Sequence, residues 1–153
     1  MRIILIMLLI IPAAQVVADR ETSSSLVIEE ASVLYEARKY KLAVDLLTKE
    51  LEREPTCAGC AHQLGRAYGR LAENASWIAA IGLAKKTRIA FEHAVELDPL
   101  NEQALQDLIQ FYREAPGFLG GGADKANNLE SRLNKLRAEN SSSNVSPTSS
   151  PSQ

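Results

Sequence analysis

The sequence has little of what marks several large functional classes. Lys and Arg number 17 against 19 Asp and Glu, so a broad cationic surface for nucleic acid is not expected. Aromatic residues make up 5% of the chain, too few for a platform on which bases stack. No alternation of period two is sustained, and no β-sheet is therefore predicted.

Long apolar runs are also absent. The longest spans residues 3–11 and is well short of the roughly 20 residues that a membrane-spanning helix needs. Arg2 precedes this run, and small residues end at Ala18, just before Asp19. The pattern is typical of a secretory signal peptide. It predicts removal of residues 1–18, export to the periplasm or the medium, and no membrane span after cleavage.

The other end of the chain lacks charge. Residues 140–153 read NSSSNVSPTSSPSQ, with one apolar residue and two prolines. Such a segment cannot bury enough surface to offset the entropy lost on ordering. It is predicted to be a disordered tail, which leaves residues 19–139 as the folded domain.

Helical periodicity runs through that domain and is punctuated by proline. Pro55, Pro99 and Pro116 each follow an apolar pattern of helical spacing, where proline ends a helix. Thr56 and Asn101 come directly after the first two and are candidate N-caps.

The predicted helices form pairs. Arg38, Lys39 and Tyr40 are interpreted as a turn between one helix that ends near Ala37 and another that runs to Glu54. A single amphipathic pair of this size cannot bury its apolar stripe alone, so neighbouring pairs must stack on it.

Two segments carry a family pattern. LGRAY, residues 64–68, matches the L-G-x-x-Y of a tetratricopeptide first helix, and residues 87–99, TRIAFEHAVELDP, match the second helix. The chain thus resembles the tetratricopeptide repeat family, and its exported bacterial members in particular. The resemblance implies an all-α, right-handed stack of about three helix-turn-helix units. Gly65 would let the two helices approach closely enough for Phe91 to interlock with them.

The chain departs from the family pattern at two places. Glu50 stands where the first repeat would have alanine, and Pro55 and Pro99 are 44 residues apart against 34 in the standard unit. The extra residues lie at 72–81. Trp77 in this insertion is expected to cover one end of the stack as a satellite core; left open to water, it would favour self-association.

A glycine-rich segment, APGFLGGGADKA at residues 115–126, raises the question of a phosphate site. A phosphate-binding loop needs Lys and Ser or Thr directly after its last glycine, but Ala123 and Asp124 follow Gly122, and Lys125 comes too late. The segment is therefore interpreted as a loop, with Asp124 favouring the start of the next helix. A weaker functional version, in which the loop receives an anion from a partner, stays open.

Two cysteines, Cys57 and Cys60, form CAGC at the head of a predicted helix. Export and a spacing of three favour a structural disulfide, with buried thiols as the variant of that interpretation. A redox pair is the second interpretation, since a helix N-terminus lowers the pKa of a thiol. A metal site is the third and would need His62 and His93 to converge on the cysteines. The haem spacing C-x-x-C-H fails.

The stacked units would present their first helices on a concave face. Spacing along two of these helices predicts a cationic and hydrogen-bonding stripe there that binds a protein or peptide, acidic ones included. A solvated helix face is the competing interpretation. The stripe consists of His62, Arg66, Arg70, Gln106, Gln110 and Arg113.

The leading functional hypothesis is a non-enzymatic scaffold of the cell envelope that needs no cofactor or metal. A second hypothesis is a small-ligand carrier for an envelope transporter, with an enclosed pocket formed by Leu64, Tyr68 and Trp77. A thiol-disulfide oxidoreductase that uses Cys57 and Cys60 is the third. The sequence leaves the oligomeric state open.

Overall fold

A computed structural model of the chain describes residues 13–143, with side chains described from 22 to 142. The described part is helical throughout and contains no strand, so the predicted all-α class is confirmed. Six α-helices and one 3-10 turn follow in order: α1 Ala13–Glu36, α2 Tyr40–Arg53, α3 Ala58–Glu73, α4 Trp77–Leu97, α5 Glu102–Glu114, the turn Gly117–Leu119, and α6 Ala123–Ser143.

The helices form three hairpins, α1 with α2, α3 with α4, and α5 with α6, and each hairpin packs on the next. The first hairpin closes as predicted, to within one residue at each helix end. Arg38 takes a left-handed conformation in its turn, with φ of 57°. The backbone N–H groups of Arg38 and Lys39 donate to carbonyls in the last turns of α1, and these bonds terminate that helix.

The core is formed by contacts both within hairpins and between them. One cluster joins the first two hairpins through Ala31, Leu47, Cys60, Leu64 and Ala90. A second, larger cluster runs from Ala61 in α3 through α4 and α5 to Leu133 in α6. Each hairpin therefore completes the burial of its apolar stripe by contact with a neighbour, as in stacked helical repeats.

Gly65 sets the distance between α3 and α4. A Cβ atom at this position would lie 2.5 Å from Cδ1 of Phe91 and 2.6 Å from its Cε1. Phe91 is buried at 6% exposure. The predicted role of Gly65, close approach of the two helices of one unit, is thus present in the structure.

The predicted N-caps behave differently. The side chain of Asn101 accepts a hydrogen bond from the backbone N–H of Ala104 at 3.0 Å, and α5 begins directly after it. Thr56 does not cap α3, because its hydroxyl hydrogen-bonds the Glu54 carboxylate. Cys57 is the cap instead, and its sulfur accepts from the backbone N–H of Cys60 at 3.2 Å.

The inserted segment, residues 72–81, forms the end of α3 and the start of α4 and does not fold over the end of the stack. α3 ends at Glu73, and α4 begins at Trp77 and runs for 21 residues. Trp77 and Ile78 are 74% and 84% exposed. The predicted satellite core around Trp77 is therefore wrong, because no described element lies over the first turn of α4.

Both chain ends extend past the described range. Residues 1–12 of the predicted signal peptide lie outside it, and residues 13–18 belong to α1. α6 continues through Ser143, so residues 140–143, predicted as tail, are helical; residues 144–153 lie outside the described range. None of the described helices is long and apolar enough to cross a membrane.

Glu50, the acid at an alanine position, is 5% exposed. Its Oε1 accepts from Ser24 Oγ at 2.5 Å, and its Oε2 accepts from Arg53 Nε at 3.0 Å. The bond from Arg53, together with that from Ser24, outweighs desolvation and lowers the pKa of Glu50. The acid thus ties α1 to α2 where an alanine would only pack.

The close contact of Gly65 with Phe91 predicts opposite outcomes for two Gly→Ala changes. In Gly65→Ala, overpacking against Phe91 costs about 1–3 kcal/mol, and the higher helix propensity of alanine returns up to about 1 kcal/mol. We expect a net loss of about 1–2 kcal/mol in the free energy of unfolding, measured by urea denaturation. Gly82→Ala, in the same hairpin, is the matched control. The added Cβ atom meets open space, so the free energy of unfolding should rise by about 0.5–1 kcal/mol. Equal effects of the two changes would contradict this account.

The Glu50 contacts predict a pH-dependent stability. Because its folded-state pKa is lowered from 4.5, the carboxylate stabilises the fold fully above that value and loses its contribution as the pH falls through the folded-state pKa. Replacement by glutamine should therefore cost most near neutral pH, and the difference from wild type should shrink in acid. Urea denaturation across this range checks the prediction, with Glu52→Gln, an exposed change on the same helix, as control. A difference that is constant with pH would count against it.

Candidate functional site

The first helices of the three hairpins border an open cleft of about 470 Å³, here called the α3–α5 cleft. α1 contributes Tyr35, α3 and α5 form the two walls, and α4 with the loop after α5 supplies the floor. The lining residues are Tyr35, Arg66, Gly69, Arg70, Ala72, Glu73, Ala84, Thr87, Phe91, Asp107, Gln110, Phe111, Glu114, Ala115 and Leu119.

The α3 wall carries two arginines organised around Tyr35. The guanidinium of Arg66 lies 4.6 Å from the centre of the Tyr35 ring, a cation–π arrangement. Arg70 Nε donates to the Tyr35 hydroxyl at 3.0 Å, and its Nη1 binds both oxygens of Glu73 at 3.0 and 3.1 Å. The hydrogen bond to Tyr35 and the pair with Glu73 raise the pKa of Arg70. Both cations are thus held in position before any ligand arrives.

The α5 wall is acidic. Asp107 and Glu114 line the cleft with Gln110 between them, and Gln110 Nε2 donates to Glu114 Oε1 at 2.9 Å. Asp107 Oδ2 lies 2.7 Å from His62 Nε2. Glu73 is paired with Arg70 on the α3 wall, so two carboxylates of the α5 wall lie across from two arginines. The cleft is polarised across its width rather than uniformly cationic.

His62, predicted as the first residue of an exposed stripe, is buried at 5% exposure. Its ring centre lies 5.9 Å from that of Phe91, and its Nε2 contacts Asp107 on the opposite helix. His62 therefore joins α3 to α5 and positions Asp107 rather than meeting a ligand.

The predicted stripe also divides between two surfaces. Arg66, Arg70 and Gln110 line the α3–α5 cleft, whereas Gln106 and Arg113 line a separate groove of about 370 Å³ between α5 and α6, which Gln110 also borders. Arg113 is paired there with Glu130. The structure does not bring the six predicted residues together at one site.

The prediction missed Tyr35 and the acidic wall, although the sequence contained signals for both. Asp107, Gln110, Phe111 and Glu114 follow the i, i+3, i+4, i+7 spacing of one helix face. The predicted stripe on α5 was shifted from this face by one residue. Tyr35 corresponds to Gly69, which also lines the cleft, when Ala31 is aligned with Gly65. The predicted stripe, extended to the first repeat in the same way, gives Ile28, Ser32 and Glu36 instead.

The backbone N–H groups of the three consecutive glycines already donate hydrogen bonds to nearby carbonyls of the chain. The backbone N–H groups of Gly120, Gly121 and Gly122 donate to the carbonyls of Gly117, Pro116 and Tyr112, respectively. A Cβ atom on Gly121 would lie 1.8 Å from the Ala115 carbonyl oxygen. The glycines permit this tight reversal and leave none of their own N–H groups to surround a phosphate.

A partly buried polar network lies beneath that loop. Tyr112 donates its hydroxyl to Glu92 Oε1 at 2.6 Å, and Arg88 Nη1 contacts both oxygens of the same carboxylate at 2.8 Å. Burial first, and then the bond to Glu92, raise the pKa of Tyr112. Lys125 Nζ lies 5.1 Å from the Tyr112 ring centre and donates to the Gly120 carbonyl. The bonds of Glu92 join α4 to α5, and Lys125 joins α6 to the loop, which accounts for the basic residue after the glycines.

Cys57 and Cys60 are joined by a disulfide with an S–S distance of 2.02 Å. Cys60 is fully buried in the cluster between the first two hairpins, and Cys57 packs against the same cluster. Among the described residues, no three His, Cys, Asp or Glu side chains are grouped closely enough to hold a metal ion.

The pocket expected for a small-ligand carrier does not form. Leu64 is buried in the core, Trp77 is exposed, and Tyr68 lines a different surface on the far side of α3. The α3–α5 cleft is also open rather than enclosed. The three residues share no cavity in the described part of the chain.

Comparison with known proteins agrees with the architecture. No model of a known protein family and no curated protein matches the chain. Among solved structures, it is similar to human IFIT1, in a structure of the IFIT1 dimer with PPP-AAAA, with a TM-score of 0.63 and 26% sequence identity. The match covers 72% of this chain and 25% of the IFIT1 chain, so it spans about a quarter of that protein. IFIT1 contains tetratricopeptide repeats, and the chain is thus similar in fold to a helical-repeat protein.

Proposed function

We propose that this chain is an exported, non-enzymatic scaffold with a right-handed tetratricopeptide-like stack, which binds a segment of another protein in the α3–α5 cleft. The observation that carries the proposal is the construction of the cleft. Two arginines are held by Tyr35 on one wall, two carboxylates stand on the other, and Phe91, Phe111 and Leu119 lie among them. An open, partly apolar cleft with oriented charges suits a peptide chain.

The charge distribution favours a particular peptide pattern. An extended peptide points successive side chains in opposite directions. A segment in which acidic and basic residues alternate would present its acids to Arg66 and Arg70 and its bases to Asp107 and Glu114. Arginine forks suit carboxylates. A uniformly acidic ligand would meet repulsion from the α5 wall, so the expected partner is mixed in charge rather than simply acidic.

The ligand bound by IFIT1 does not transfer directly to this chain. The match spans a quarter of IFIT1, and the cleft here carries more carboxylates than arginines. The proposal accordingly rests on the cleft's own side chains, and the structural neighbour supports only the repeat architecture.

Fluorescence anisotropy with synthetic peptides tests the proposal. One labelled peptide alternates Glu and Lys around a central Leu, and a second has the same composition with the charges in two blocks. We expect the purified chain to bind the alternating peptide more tightly. Neutralising both arginines, with Arg66→Gln and Arg70→Gln, should weaken binding at least about tenfold, which corresponds to roughly 1.4 kcal/mol.

Arg113→Gln is the matched control, because it removes an exposed arginine from the neighbouring groove and not from the cleft. It should leave the affinity unchanged, and circular dichroism should show equal helicity in all variants. Equal binding of the two peptides, or an equal loss in Arg113→Gln, would refute binding in this cleft.

A further inference from the structure

A second surface lies on the other side of α3, between α2 and α4. This lysine groove has a volume of about 870 Å³. Its apolar floor contains Val44, Tyr68, Leu71 and Leu83, all partly buried. Lys41 and Lys49 stand on its α2 rim and Lys86 on its α4 rim, with Asp45 the one acid among the lining residues.

The lysines of this groove are not neutralised within the described part of the chain. None of the three forms an ion pair with a described carboxylate. Lys86 instead lies 5.3 Å from the centre of the Tyr68 ring. The groove thus combines apolar area with a net excess of two positive charges, in a chain whose formal net charge is −2.

The outer face of α1 has the opposite character. Leu26 and Val33 are 62% and 64% exposed, and their spacing of seven residues places them in one line along the helix. Exposed glutamates flank that line: Glu29 and Glu36 on one side and Glu30 on the other, by 100° of rotation per residue. Among described residues these glutamates also lack ion-pair partners.

The two surfaces match in arrangement. Glu29 and Glu36 are separated by about 10.5 Å along their helix, and Lys41 and Lys49 by about 12 Å along theirs, at 1.5 Å per residue. Each surface carries two charges on one side of its apolar strip and one on the other. Leu26 and Val33 would lie on the groove floor while the glutamates meet the lysine rims.

We propose that the lysine groove binds the outer face of α1 from a second copy of this chain. The contact is heterologous, because it joins different surfaces of the two copies, and each bound copy keeps its own groove open. Such contacts build rings or open chains. Direct pairing of two α1 faces is disfavoured, because it would bring glutamates against glutamates. Lys41 and Lys49 lie outside the α3–α5 cleft, so this association is independent of peptide binding there.

Sedimentation velocity on the purified full chain tests the association. The weight-average mass should rise with concentration at about 0.1 M salt. It should fall back toward the monomer at about 1 M, where the Debye length shortens from about 10 Å to about 3 Å. A chain that stays monomeric throughout overturns the proposal and leaves the groove to a foreign acidic partner. Oligomers insensitive to salt overturn it as well, because they would form through apolar contacts elsewhere.

Two charge-reversed variants identify the surfaces. Lys41→Glu with Lys49→Glu blocks the groove and leaves α1 intact, whereas Glu29→Lys with Glu36→Lys reverses α1 and leaves the groove intact. Each variant alone should be monomeric. Their mixture should regain the salt-sensitive association, because the intact α1 face of one variant meets the intact groove of the other and the two reversed surfaces are again opposite in charge.

Persistent oligomers in either variant alone, or no association in the mixture, contradict the assignment. All four positions are exposed, and circular dichroism should confirm unchanged helicity. A chain with all four reversals provides a further control. It restores opposite charges across the contact and should regain the salt-sensitive association of the wild type.

Discussion

The close approach of α3 and α4 at Gly65 is the constraint on which the rest of the structure depends. With no side chain at Gly65, the Phe91 ring lies against the α3 backbone. The same ring lines the α3–α5 cleft and lies 5.9 Å from the His62 ring, and His62 in turn holds Asp107 on the opposite wall. One small residue thus determines the depth of the cleft and the position of its acidic side. A wider α3–α4 distance would move the floor and the α5 wall together.

Much of the fold could be predicted because its signals are local. Pro55 and Pro99, the turn at Arg38 and the capping amide of Asn101 each act within a few residues, and helical periodicity identifies the buried face of each helix. The prediction for residues 72–81 was wrong for a corresponding reason. Trp77 is predicted to cover one end of the stack, but the segment contains no proline and is rich in alanine. Ser76 therefore precedes a helix that starts early, and no described element covers Trp77.

The site was harder to predict because it depends on how each helix is rotated about its own axis. Residues four apart on a helix differ by about 40° in direction, so a stripe of three such positions turns through about 80°. On α3 this rotation carries His62 beneath α5 while Arg66 and Arg70 turn toward Tyr35. On α5, a shift of one residue exchanges Gln106 and Arg113 for Asp107 and Glu114, which changes the sign of the wall. Which rotation applies is decided by contacts between hairpins, such as that of His62 with Asp107, and these join residues distant in sequence.

The two surfaces of the molecule are opposite sides of one helix. Arg66, Gly69, Arg70 and Glu73 of α3 face the α3–α5 cleft, and Tyr68 and Leu71, between them in sequence, face the lysine groove. Because α3 packs closely on α4 and joins both core clusters, it holds the two surfaces in a fixed relation. A ligand in the cleft and a second copy in the groove would then contact opposite faces of the same rigid element. An assembly built through the groove would repeat the cleft at regular intervals, so that one partner with several matching segments could bind several copies at once.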